Sequence, residues 1–397
     1  MSASESQKHL SGQSIGRRFA IGTSLFYAST FGIAGIYLPF FPVWLQAIGV
    51  DVLWIGIITA MLSLSRFMML PFVTAFAERR QILRGTMIVL AFATTFGFLV
   101  LGTLRDPMAV LIVFALTCCA WTPLSPLIDG YALKGVARYG LNYGPMRLWG
   151  STSFVIGTVL SGVLLDIIDA KHLIWLIVAL AALSAFVSFG LVPLDAPPAA
   201  QAPLSRAISL LRQPLFLVII GSSALIQASH AAYYAFASIT WQNAGLGGLT
   251  IAALWSIGVI AEIVVFAISP RLRLPPTLLV IIGAASGVIR WIITAQEPRI
   301  EILAVVQIMH GLTFGITQVG TVALMVRTVP HHALASAQGY FVASFGALIS
   351  LTTVISGLIY ARVGEEVYYA MAVMAFAGAV VMMVARKRLD ACGELID

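Results

Sequence analysis

Charge is what this chain has least of. Asp, Glu, Lys and Arg make up 10% of its 397 residues, against about 25% in a typical soluble domain. That scarcity excludes an ordinary water-facing surface. Cysteine is scarcer still: there are three, Cys118, Cys119 and Cys392, the first two adjacent inside an apolar run. They offer neither a disulfide framework nor a metal-ligand spacing, and no metal or cofactor is expected. Long polar stretches are missing as well. The longest inside the chain is "PLDAPPAAQAPLSRAISLLRQP", Pro193 to Pro214. The net charge of +7 is spread over short basic clusters between apolar runs, which argues against a nucleic-acid-binding face. "GQSIG", Gly12 to Gly16, has the spacing of a hydrolase nucleophile but follows no strand. With no metal spacing or phosphate loop beside it, an enzyme is not expected.

What the chain has is apolar length. It is 60% hydrophobic, with a mean hydropathy of +0.97. A membrane-spanning helix needs about 20 mostly apolar residues. Twelve runs qualify: 19–45, 54–77, 86–104, 108–133, 143–165, 173–192, 215–241, 249–269, 277–295, 302–326, 335–361 and 367–385. The run after Arg18 is too long for a signal peptide and reads as a retained first helix. The expected fold is therefore an all-α integral membrane protein of 12 transmembrane helices in two six-helix halves. A polar, irregular tail (1–18) precedes the first bundle (19–193). A central loop (194–214), a second bundle (215–386) and a short tail (387–397) follow.

Lys and Arg give the orientation, because they concentrate in cytoplasmic loops. With the N-terminus inside, sixteen of the 23 basic residues lie on the cytoplasmic side and four, Arg105, Lys171, Arg299 and Arg362, on the other. Both termini are then cytoplasmic. The halves also echo each other. "GTSLFYAS" (22–29) is similar to "GSSALIQAS" (221–229), and "WLQAIG" with "LWIG" is similar to "WQNAG" with "LWSIG", in the same order. A parallel six-helix repeat is the pattern of transporters that bind substrate near the bilayer midplane.

Charges within apolar spans are costly, about 2.5–3.5 kcal/mol each on insertion scales, and mark function. Here they are Arg66, Asp129, Arg147, Glu262, Arg290 and His310, with His230 as a polar neighbour. Depth decides which can meet. Asp129 and Arg147 both lie roughly 7 Å inside the cytoplasmic end of consecutive helices, at 1.5 Å rise per residue. An ion pair is expected there, against the alternative that Arg147 reaches out to the headgroups. Arg290 and His310 share a depth near the other side, with Glu262 within reach of a long arginine. Three arginines against two acids favour an anionic substrate, and arginine grips a carboxylate bidentately. Trp149 and other aromatics, among them Tyr27, Phe31, Tyr233, Tyr234 and Trp291, are candidates for the cavity wall.

These stretches carry a resemblance. "GIITAMLSLSRFMMLP", "YGPMRLWGSTSF", "GVIAEIVVF", "SGVIRW" and "QIMHGLTFG" resemble the lactose permease branch of the major facilitator superfamily, and within it the 3-phenylpropionate transporters. The resemblance implies that Asp129 and Arg147 form the acid–arginine substrate pair, and that Glu262, Arg290 and His310 correspond to the acid, arginine and histidine of helices eight to ten. It implies that Glu78 and Arg79 belong to the conformational loop between helices two and three. It also implies a monomer. Where the permease carries its proton on a glutamate, this chain has Thr313, so coupling must use Glu262, His310 or Asp129. The expected activity is proton-coupled symport of a small organic anion such as an aromatic carboxylate. Arg66, Asp129, Arg147, Trp149, His230 and Arg290 would bind the substrate. Sugar or nucleoside uptake, export of an amphiphile, and a non-transporting membrane sensor are the alternatives.

Overall fold

A chain this apolar must satisfy its backbone from within, and a helix does so using its own residues alone. The computed structural model describes residues 3–194, 209–330 and 333–391, with side chains from residue 14 onward except those of 78, 79, 209 and 335. Regular structure among them is helical, with no strand. Before the central segment come α1 (Ala3–Ala47), α2 (Val52–Arg79), α3 (Leu83–Thr103), α4 (Pro107–Trp121), α5 (Leu124–Tyr139), α6 (Tyr143–Leu165) and α7 (Ile174–Ser188). After it come α8 (Pro214–Ala228), α9 (Ala231–Asn243), α10 (Gly248–Ile268), α11 (Pro276–Thr294), α12 (Ile300–His310), α13 (Thr317–Thr328), α14 (Leu334–Val363) and α15 (Val367–Ala391).

Eleven segments are long and apolar enough to cross a membrane, and the last, Ser336–Ala391, contains most of α14 and all of α15. Twelve spans result among the described residues. Large apolar side chains stand exposed along them, Phe72 at 73% and Val384 at 81%, as lipid contact allows and water does not.

Three spans that read as continuous in sequence are broken. Pro123 separates α4 from α5, since proline removes a helical N–H and crowds the preceding turn. At the end of α8, the Ser229 hydroxyl donates back to the Ile226 carbonyl at 2.6 Å and the His230 N–H turns to Gln227. The third break is a π-helical turn, Gly311–Ile316, between α12 and α13. Two other expectations are corrected. The residues read as an irregular tail are helical from Ala3: the spanning part of α1 supplies the nucleus, and the helix propagates backward even through the weak formers Ser and Gly. Glu78 and Arg79 are not loop residues: they form the last turn of α2, which ends just before Gln81 at φ +55°. Their side chains, and the role expected of them, lie outside the described residues.

Contacts divide the chain into two compact units. One comprises Met1–Val50, Met68–Ala199 and Gly247–Ala252; the other comprises Asp51–Phe67, Ala200–Leu246 and Ala253–Asp397. The first part of α2 thus groups with the second unit and the first turn of α10 with the first. In the first unit, α1 and α6 cross with almost no side chain between them. A Cβ on Gly35 would fall 2.2 Å from the Phe154 carbonyl oxygen, and one on Gly157 would fall 2.8 Å from that of Gly32. Such small-residue seams let backbones approach in membranes, and the Thr158 hydroxyl adds a 2.7 Å bond to the Gly35 carbonyl. At the far end of α6, the Asp166 carboxylate accepts the backbone N–H groups of Gly248 and Leu249, capping α10. In the second unit, Phe216, Ile219, Val280, Leu324 and Met382 are core residues of the packing among α8, α11, α13 and α15.

Candidate functional site

The α1–α6 seam sets the first cluster. Tyr27 and Phe31 are one turn apart on α1, and Tyr143 and Arg147 are one turn apart on α6, so each pair shares a face. Tyr27 donates its hydroxyl to Asp129 Oδ1 at 2.5 Å, and Tyr143 donates to the same oxygen at 2.9 Å. Arg147 Nε stands 3.9 Å from that oxygen, with the two side chains 32% and 36% exposed. The expected pair is therefore present but loose: the carboxylate is held by two tyrosines more closely than by the arginine. The Arg147 guanidinium lies instead over Phe31, 4.2 Å from the ring centroid, with Tyr27 at 5.6 Å. Gly150 makes room for it, since a Cβ there would come within 2.8 Å of Nη1. Arg147 is also near the positive end of α6, so the place favours an anion.

The second cluster lies at the two remaining breaks. Arg290 on α11 is wholly buried between Tyr233 and Trp291, whose ring centroids are 4.7 and 4.6 Å from its guanidinium carbon. Its Nη1 donates to His310 Nδ1 at 3.0 Å and to Thr313 Oγ1 at 3.2 Å, and its Nη2 donates to Gln307 Oε1 at 3.1 Å. Its Nε is buried without a hydrogen-bond partner among the described residues. His310 Nε2 lies 3.5 Å from Glu262 Oε2. The acid thus reaches the arginine through an imidazole rather than directly.

Donor and acceptor chemistry fixes both rings. Arginine only donates, so His310 Nδ1 must accept, and its proton sits on Nε2 facing Glu262. His230 Nδ1 is 3.0 Å from the Gln227 carbonyl, which only accepts, so His230 carries its proton there. Its Nε2 then accepts from Thr313 at 3.0 Å. The π turn brings Thr313 between His230 and Arg290, and such turns recur at functional sites.

The structure therefore brings together Asp129 with Arg147, and Glu262, His310, Arg290 and His230 with one another. Arg290 and His230 are at 0% exposure. Trp149 stands apart: it is two positions from Arg147, about 200° around α6, and 55% exposed. Arg66 is exposed on α2. The sequence reading missed Tyr143 and Gln307. Tyr143 sits four residues before Arg147 and Gln307 three before His310, helical spacings that signal a shared face.

Comparison with known proteins follows the same lines. The family model described as "MFS_1 like family" matches residues 21–371. A curated protein of Escherichia coli (strain K12), "Probable 3-phenylpropionic acid transporter", is 32% identical over 363 residues, 89% of this chain and 94% of that one. "Maltose permease" of Geobacillus stearothermophilus is 25% identical over 93% of this chain and 95% of its own length. Among solved structures, the nucleoside transporter NupG matches with a TM-score of 0.82 at 17% identity, over 93% of this chain and 99% of that chain. A bacterial homologue of the lysosomal transporter Spinster matches at 0.66 and 11% identity, over 96% and 97%. The two structural likenesses speak for the fold alone.

Proposed function

This chain belongs to the MFS_1 like family of major facilitator transporters, and from that membership we propose proton-coupled uptake of a small aromatic carboxylate across a bacterial inner membrane. The observation that carries the reading is Arg147. Its guanidinium rests on the Phe31 ring, is about one-third exposed, and is 3.9 Å from an Asp129 already served by two hydroxyls. An incoming carboxylate takes the guanidinium without stranding Asp129, because Tyr27 and Tyr143 continue to satisfy it. Phe31 offers a ring against which an aromatic substrate packs. The relative named for 3-phenylpropionic acid supports the same substrate class.

Proton coupling is assigned to Glu262. It is the ionisable member of the second cluster with appreciable exposure, 24% against 8% for His310. Its carboxylate faces the His310 N–H, and His310 faces Arg290, so a proton arriving on Glu262 is felt along a continuous chain of contacts. His310 is a poor carrier here. A second proton on its ring would set an N–H against an arginine N–H.

The test is uptake into proteoliposomes under an imposed pH gradient, with 3-phenylpropionate, other aromatic acids, sugars and nucleosides as candidates. Glu262→Gln is expected to abolish uphill accumulation while leaving exchange. Arg147→Gln is expected to weaken acid binding by about 1.5–3 kcal/mol, the scale of a lost hydrogen bond to a charged group. Competition by neutral sugars but not by acids would replace the anion reading with the sugar one, which the half-buried Asp129 acceptor and the maltose permease relative also accommodate.

A further inference from the structure

The Arg290 guanidinium is fully buried and positively charged, yet among the described residues it donates to neutral groups: a histidine nitrogen, a threonine hydroxyl and a glutamine carbonyl, with the Tyr233 phenol beside them. A buried charge without a counter-charge costs several kcal/mol. The groups around it are known element by element. Tyr233 and Tyr234 come from α9, His230 from the corner just before it, His310 and Gln307 from α12, Thr313 from the π turn, and Tyr368 from α15 stacks on Trp291. The carboxylate in this neighbourhood is Glu262 of α10, one imidazole away.

Gln307 is the telling residue. It is 1% exposed, one helical turn from His310, and its Oε1 lies 3.1 Å from Arg290 Nη2. A glutamate would fit there, differing only in replacing an amide NH2 by oxygen. It would give Arg290 a direct counter-charge and leave Glu262 without influence.

We infer that Gln307 is a positioning residue whose neutrality reserves Arg290 for Glu262, so that the guanidinium responds to the protonation of Glu262 through His310. The inference rests on the proton-coupled reading for its meaning in transport, but its electrostatic core is testable apart from transport. With Gln307 neutral, Arg290 is anchored firmly while Glu262 is ionised and is released when Glu262 takes a proton. The hydrogen bonds it donates to Gln307 and Thr313 keep its direction while its charge is uncompensated.

The experiment uses the full chain in lipid nanodiscs. Thermal midpoints at mildly alkaline pH are compared for the native chain, Glu262→Gln, Gln307→Glu and the double variant. Glu262→Gln is expected to lower the midpoint, and Gln307→Glu in that background to recover most of the loss. If Gln307→Glu lowers the midpoint equally with and without Glu262, the inference is overturned, and Gln307 is a packing residue. A second arm uses 3-phenylpropionate in proteoliposomes. Gln307→Glu is expected to retain exchange and lose gradient-driven accumulation by about tenfold or more, whereas Gln307→Asn, still neutral, keeps the native dependence on the gradient. Native accumulation with undiminished accumulation by Gln307→Glu would also overturn it. Absence of gradient-driven uptake by the native chain would instead defeat the transport reading, with the double-variant result still deciding the charge assignment.

Discussion

Arg147 shows how little a charge reveals without its neighbours. Its depth in the sequence pairs it with Asp129, and the structure brings the two to 3.9 Å. What the sequence hides is that Tyr27 and Tyr143 take the better places on that carboxylate. Neutral hydroxyls and amides do not stand out in an apolar chain as charges do, so Tyr143 and Gln307 went unread while the fully buried Arg290 did not. Gly150 makes the same point by subtraction. Gly150→Ala is expected to push the guanidinium off Phe31, forfeiting about 0.5–2 kcal/mol of cation–π attraction. Affinity for an aromatic acid should fall accordingly, with a smaller loss in thermal midpoint, since Arg147 Nη1 is the end of a flexible side chain while the Phe31 ring, 3.2 Å from the added Cβ, must give slightly. Equilibrium binding and a melting curve on the same sample separate the two effects.

At the scale of elements, the spans were legible because length and apolarity alone identify a membrane helix. The breaks were not. Proline announces the one at Pro123, but the π turn after His310 has no residue signature, and the Ser229–His230 corner depends on a serine bonding back to its own helix. Each break has an ionisable site residue nearby: His230 and His310 at theirs, and Asp129 six residues past Pro123. Backbone interrupted in a membrane is tolerated where side chains satisfy it, and such places repeatedly host binding sites. The seam between α1 and α6 holds the first cluster's aromatics against its arginine. Gly35→Ala is expected to cost about 1–3 kcal/mol by overpacking, because the obstacle is the Phe154 backbone and not a movable side chain. Gly85→Ala, where nothing lies within 4 Å, is the matched control in a thermal unfolding series.

For the whole molecule, the distribution of Lys and Arg predicts which face meets the cytoplasm. A membrane-impermeant thiol reagent applied to intact cells, in a chain with its native cysteines replaced, is expected to label Lys171→Cys and to spare Arg80→Cys. The reverse pattern would invert the topology. Both positions are exposed, so accessibility of the side chain itself does not limit the assay. The central segment and the internal repeat predict two halves, whereas the grouping of 51–67 with the second unit and of 247–252 with the first arises from contacts between residues distant in sequence. No local pattern records those.

That grouping bears on how the protein is made. Gly56 of α2 packs on Gly357 of α14 within 3.1 Å of where a side chain would begin. Its partner is synthesised about 300 residues later, which at about 5–20 residues per second is a wait of roughly 15–60 seconds. For that interval the early part of α2 has lipid as its companion, and whatever inserts the nascent chain must hold or release it in a form that can still be claimed.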